Sequence, residues 1–221
     1  AAGCSVIIKA SEIAPCSLFE LAKLIDQAGF PKGVVSVVTG DSDNCAIPLT
    51  SHPGIDRIAF TGGTETAKKI IKNSSNNFAA TNLELGGKSP LIIFDDADIE
   101  SAANGIIAGN FGASGQSCVA GSRVIAQKNI SSKLKDIIKQ KSENIIVGNP
   151  LDPKTNLGPL CTSKQIEIIE NTINKSVSQG AEIIFGGKKI EKEGNYFEPT
   201  LIYCPHRNIE TLKIEMFGPV I

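Results

Sequence analysis

Tryptophan is absent from the 221 residues, which hold only two tyrosines, two histidines and one methionine. So few aromatics leave little with which to stack bases. The 22 basic and 23 acidic residues are mixed along the chain with no basic block, so nothing points to nucleic acid or an anionic membrane surface. No apolar run approaches the roughly 20 residues of a membrane span. Cysteines stand at 4, 16, 45, 118, 161 and 204, irregularly spaced, with no Cys-x-x-Cys pair and no histidine at ligand spacing. That pattern gives neither a metal site nor a disulfide framework, and it suits a reducing compartment; the expected location is cytoplasmic. His52 and His206 each adjoin a proline, so no Cys–His pair is expected. The opening residues turn strand-like too quickly for a signal peptide.

What is present is an ordinary globular composition, 41% hydrophobic and 20% charged, enough for a sizeable core. Ser5–Lys9 reads as a strand. Ser17-x-x-Glu20 has capping-box spacing ahead of a helix using Leu18, Leu21, Ala22 and Ile25, with Gly29 as its stop. Val34–Val38 is a β-branched strand, 41–44 a polar loop, and Arg57–Phe60 a strand that runs into Thr61-Gly62-Gly63-Thr64 and a helix over 65–72. Thr81–Leu85 adds another strand. Strand and helix alternation predicts a mostly parallel sheet covered on both faces.

A second unit is expected from 87, after a first over 1–86. It holds a strand at Leu91–Phe94, acidic residues Asp95, Asp96 and Asp98 at a helix start, a small-residue helix over 99–110 and a strand at 123–127. Ser131 is expected to cap the next helix. Thr162-x-x-Gln165 caps a helix whose stripe is Ile166, Ile169, Ile173 and Val177, ending at Gly180. Ile183–Phe185 is a strand, followed by a hairpin-like turn and extended chain around Pro199. The lack of an initiator methionine and the abrupt apolar ends lead us to expect a fragment at both termini.

Four stretches carry possible chemistry. Cys118 lies among Gly112, Gly115 and Gly121, where bare backbone allows tight turns and leaves room to approach the sulfur; most free cysteines are nonetheless inert. The turn at Gly62-Gly63 joins a strand to a helix, where backbone N–H groups can face a phosphate or make an ordinary turn. Lys9 and Glu12 follow the first strand, where a ribose could be held or a solvent pair formed. Glu84 lies between Leu83 and Leu85, either partly desolvated as a base or pointing outward to a lysine.

Taken together, Leu83-Glu84-Leu85-Gly86-Gly87-Lys88-Ser89-Pro90, Gly115-Gln116-Ser117-Cys118 and Ala120-Gly121-Ser122-Arg123 closely resemble the aldehyde dehydrogenase superfamily. Lys9-Ala10-Ser11-Glu12 resembles its Lys-Pro-Ser-Glu, Phe60-Thr61-Gly62-Gly63 its Phe-Thr-Gly-Ser, and Glu215-Met216-Phe217-Gly218-Pro219 its Glu-Ile-Phe-Gly-Pro. The resemblance implies an α/β fold in which a partial Rossmann-like cofactor domain precedes the start of the catalytic domain. It makes Cys118 the nucleophile and Glu84 the general base. Lys9 and Glu12 would hold the adenine-side ribose, Gly62 and Gly63 the pyrophosphate, Glu215 the nicotinamide ribose, with Phe217 near the nicotinamide. The implied cofactor is NAD, favoured over NADP by the Glu12 carboxylate. The implied reaction turns an aldehyde into an acid through a thiohemiacetal and thioester on Cys118, in a full-length homodimer or homotetramer.

This chain departs from the family's pattern at Ala10 (usually proline), Gly63 (usually serine), Ala113 (often asparagine) and the 41–44 loop, which lacks a later glycine. Members are about twice this length, and the missing part includes the asparagine that completes the oxyanion hole. Three alternatives stay open: acyl transfer to coenzyme A, a cofactor-free thiol hydrolase, and an inactive remnant.

Overall fold

The computed structural model describes residues 2–221. They form a first unit ending at Leu85 and a second running Gly86–Ile221.

In the first unit, β1 (Val6–Lys9) pairs in parallel with β2 (Val35–Val38), and the ladder continues one residue further through the Ala10 N–H to the Val38 carbonyl at 2.9 Å. Between them lies α1 (Cys16–Gln27). The capping box expected at Ser17 does not form, because the helix starts earlier. The Pro15 carbonyl takes the Leu18 and Phe19 N–H groups, and Glu20 pairs with Lys23 at 2.7 Å instead. Gly29 ends the helix in the left-handed region at φ +79° as expected. The expected loop after Gly40 is a π-helical turn, Ser42–Ala46, begun by Asp41, whose carboxylate accepts the Asn44 N–H at 2.7 Å. A short helix α2 (Ile47–Ser51) leads to β3 (Arg57–Gly62), α3 (Thr64–Ser74) and β4 (Ala80–Leu85).

β3 and β4 run parallel, with Phe60 opposite Leu83 and Thr61 opposite Glu84. The expected single sheet is therefore two separate parallel pairs, β1–β2 and β3–β4, with no ladder joining them among the described residues. Cover on both faces is also not found. No residue of α1 is buried, and Val6 and Ile7 of β1 are each 47% exposed.

The second unit holds both large apolar clusters. β5 (Pro90–Ile93) pairs in parallel with β6 (Arg123–Ala126), and between them runs α4 (Ile99–Phe111). Asp98 caps α4 by accepting the Ser101 N–H at 2.7 Å, an arrangement that holds its carboxyl below the usual range. Asp95 instead receives Gln127 and Asn129 side-chain amides. α5 (Lys128–Ser142) begins directly after β6, so Ser131 lies inside the helix and does not cap it. Leu134 and Ile138 of α5 pack with Ile106 and Phe111 of α4.

Thr162 does cap α6 (Ser163–Ser178), accepting the Gln165 N–H at 3.3 Å, and Gly180 closes it at φ +97°. Ile166, Ile169 and Ile173 are buried around Phe197 and Ile209. Val177, expected on the same stripe, is 44% exposed, because it lies in the helix's final turn past the cluster. β7 (Glu182–Phe185) pairs antiparallel with β8 (Leu201–Tyr203). The chain then returns so that the Thr200 N–H meets Pro219 and the Ile202 N–H meets Ile221, both at 2.9 Å.

Candidate active site

In the first unit Lys9 and Glu12, expected from the sequence as neighbours, form an ion pair. Lys9, at the carboxyl end of β1, donates from Nζ to Glu12 Oε1 and to the Ala10 carbonyl, each at 2.9 Å. Two of its three ammonium protons are thus engaged within the chain, leaving one for a ligand hydroxyl. The Lys9 ammonium bonding Glu12 holds that carboxyl below the usual range, so it is an anion at neutral pH. Ala10 is fully buried, and its N–H makes a bond that the family's usual proline has no hydrogen to make.

Gly62 ends β3 where a Cβ would lie 2.6 Å from the Phe60 ring, so the turn admits no side chain there. Gly63 is the N-cap of α3 and supplies no side-chain acceptor, so the first N–H groups of the helix are left uncapped by it. A Cβ on Gly63 would meet nothing within 4 Å. An open, uncapped helix start at the end of a parallel strand fits an anionic phosphate.

Glu84 faces outward. In β3–β4, Ala59, Thr61, Asn82 and Glu84 share one face by strand alternation and register, and all four are exposed. Glu84 is thus solvent-exposed in this chain rather than partly desolvated. Among the described residues no ion pair reaches it either.

In the second unit, α4 ends at Phe111 and the chain enters a turn with three consecutive left-handed residues, Ala113, Ser114 and Gly115, at φ +51°, +57° and +72°. The turn is pinned on several sides. Ser114 Oγ donates to the Gly158 carbonyl at 2.9 Å, and Gln116 Oε1 accepts the Cys161 N–H at 2.9 Å. Buried Asn110 donates to the Ile106 and Gly121 carbonyls, tying the helix to the far side of the loop. Gly115 lies so close to the Gly218 carbonyl that a Cβ would sit 2.1 Å from that oxygen.

Cys118 is held on this loop, exposed. Its backbone N–H has no acceptor in the chain among the described residues. A fixed thiol beside an unengaged amide is what attack on a carbonyl with oxyanion support requires.

The Glu215–Pro219 segment closes over this loop. Phe217 adopts φ +46° and is 40% exposed, while Gly218 is buried against Ile169. Glu215, Phe217, Lys88, Ser117 and Ser122 line a shallow pocket. Glu215 Oε1 is buried there without a hydrogen-bond partner, which marks a place for a donor such as a ribose hydroxyl. Three polar residues around this pocket were given no role by sequence reasoning. Lys88 and Arg123 were visible only as parts of motifs, while Asn110 carried no spacing signal that distinguishes it from other helix residues.

The chain thus combines an α/β fold, a lysine–glutamate pair and a glycine turn in one unit with a loop cysteine beside a glutamate-lined pocket in the other. The model of the aldehyde dehydrogenase family matches residues 1–221, and the chain belongs to that family. It is 49% identical over 222 residues to a (Z)-2-((N-methylformamido)methylene)-5-hydroxybutyrolactone dehydrogenase of Acinetobacter baylyi, covering 100% of this chain and 46% of the relative. A betaine aldehyde dehydrogenase of Agrobacterium fabrum is 38% identical over 223 residues, covering 100% of this chain and 45% of the relative. Among solved structures, the Staphylococcus aureus betaine aldehyde dehydrogenase in complex with NAD+ superposes with TM-score 0.96 at 37% identity, covering 99% of this chain and 44% of that one. An Escherichia coli NADP-dependent enzyme gives TM-score 0.96 at 35% identity, covering 99% and 46%. The chain spans about half the length of the curated relatives it matches.

Proposed function

We propose that the whole protein carrying this chain oxidises an aldehyde to its carboxylic acid, with NAD(P) as the acceptor of hydride and Cys118 as the nucleophile. The observation that carries this reading is the Cys118 loop, which holds an exposed thiol and an unengaged amide beside the Glu215 pocket. The Cys118 thiolate attacks the aldehyde carbon, and the Cys118 N–H steadies the oxygen as it gains charge. Hydride leaves that carbon for the nicotinamide when the cofactor is bound, and the acyl group stays on sulfur as a thioester. Glu84 takes a proton from water, which attacks the thioester and frees the acid and the thiol. Lys9 and Glu12 hold the adenine-side ribose, the Gly62-Gly63 turn faces the pyrophosphate, and Glu215 takes the nicotinamide-side ribose next to Phe217.

The anionic Glu12 disfavours a 2′-phosphate and tilts this reading to NAD. Six free cysteines suit a reducing, cytoplasmic setting, and a homodimer or homotetramer belongs to the same reading. The test is NADH or NADPH formation by the whole protein against an aldehyde panel including betaine aldehyde and aminoaldehydes, the substrates in its relatives' names. Activity with NAD and its loss in Cys118→Ala are expected. No reduced cofactor with any aldehyde, or full activity without the thiol, would refute the proposal. Acyl-coenzyme A instead of free acid as product would replace hydrolysis with acyl transfer.

A further inference from the structure

We propose that Lys88 is the positioning residue for Glu215, holding that carboxylate turned into the pocket without itself bonding the ligand. This rests on the reading above, in which Glu215 takes the nicotinamide-side ribose.

The stretch after β4 is shaped around Glu215. The carboxylate lies directly against the bare backbone of Gly86, where a Cβ would come 1.7 Å from Oε2. Its other oxygen, Oε1, is buried and accepts no hydrogen bond. A buried carboxylate oxygen without a donor is costly unless a cation lies within Coulomb range. Lys88, two residues beyond Gly86, supplies that charge. It lines the same pocket, and its Nζ donates to the Ser122 carbonyl at 3.4 Å, on the loop four residues past Cys118. The ammonium is thus tied to the cysteine loop and forms no direct ion pair with Glu215, so Oε1 is left for a ligand hydroxyl.

The surroundings set when this cation exists. Burial, then repulsion from Arg123 on β6, pushes the Lys88 ammonium down to about 8, against opposing pulls from Cys204 and Glu215. Burial pushes the Cys204 thiol up, keeping it neutral at neutral pH. Lys88 is therefore charged at pH 7 and neutral by pH 9.5, and its support of Glu215 is lost as pH rises through about 8.

The test is calorimetric titration of NADH into the whole protein at pH 7 and pH 9.5. Wild type should bind on the order of tenfold more weakly at the higher pH. Lys88→Met should show that loss already at pH 7 and little further change. Lys88→Arg should keep wild-type affinity at both values, because a guanidinium stays charged. In a Glu215→Gln background, Lys88→Met should add nothing. Equal affinity for Lys88→Met and wild type, or the same alkaline loss in Lys88→Arg, overturns the proposal while NADH binding and its weakening by Glu215→Gln leave the cofactor reading intact. An additive effect of Lys88→Met on Glu215→Gln also overturns it. Absence of NADH binding by wild type removes the underlying reading and the proposal together. If Lys88→Met does not fold, the wild-type pH profile and Lys88→Arg decide.

Discussion

Ala113 is in a conformation that its side chain does not favour, and the consequence is measurable. Its φ and ψ are +51° and +31°, in the left-handed region, followed by Ser114 and Gly115 in the same region. A residue with a Cβ pays about 1–2 kcal/mol there, while asparagine tolerates the region through local hydrogen bonding. The side chain is exposed, so a larger one meets no packing cost. The bonds that define the turn, from the Gln116 backbone N–H and side-chain Nε2 to the Ala113 carbonyl at 3.1 and 3.3 Å, do not involve the Ala113 side chain. Ala113→Asn should therefore stabilise the loop by about 1 kcal/mol. Ala113→Gly gains the same steric relief but loses about 0.4–1 kcal/mol to a freer unfolded chain, for a smaller net gain. Ala113→Val, β-branched in this region, should destabilise. The assay is the thermal midpoint of the whole protein across the series, with the asparagine variant higher by about 1–2 °C. The order Asn, Gly, Ala, Val supports the reasoning; a midpoint lowered by asparagine, or valine equal to alanine, refutes it.

Two further outcomes follow from local geometry. Ala10→Pro restores the family's usual residue but removes the N–H that bonds the Val38 carbonyl and adds ring atoms at a fully buried position, so it should cost about 1–2 kcal/mol by thermal unfolding; an unchanged or raised midpoint would show that this strand end accommodates the ring. Asp98 has its carboxyl held below the unfolded value by the Ser101 N–H, so its capping contribution is present above the ordinary aspartate range and fades as pH falls through the lower folded value. As pH falls from about 4 toward 2 the midpoint of wild type should fall more than that of Asp98→Asn, and parallel profiles would contradict the assignment.

The elements most legible in the sequence are those set by local rules. Thr162 and Gly180 bracket α6, and Asp98 starts α4, because a cap needs only the right donor or acceptor a few residues away. Ser17 and Ser131 match the same local patterns and fail, because α1 begins one residue earlier, directly after Pro15, and α5 three residues earlier, directly after β6 and Gln127. Sheet assembly was beyond such rules. Alternating strands and helices suggested one covered sheet, but which strands share hydrogen bonds depends on partners far apart in sequence, and the ladders here close in separate pairs. The exposure of Glu84 follows from the same gap, since flanking leucines say which face of a strand is apolar and not what covers the other one.

The site shows a parallel division between motif and surroundings. Lys9 and Glu12 meet because three residues separate them at a strand end, a distance that spacing alone can encode. Glu215 and Gly86 meet across 129 residues, and neither predicts the other. Gly86 appears in the sequence only as a member of the Leu83–Pro90 motif, yet in the fold its bare backbone is where the Glu215 carboxylate lies. Lys88 appears in the sequence only as a member of the Leu83–Pro90 motif, yet in the fold burial and Arg123 lower its hold on a proton. Motifs thus name the groups that touch reactants, whereas the residues that charge and orient those groups become visible only when distant segments are packed together.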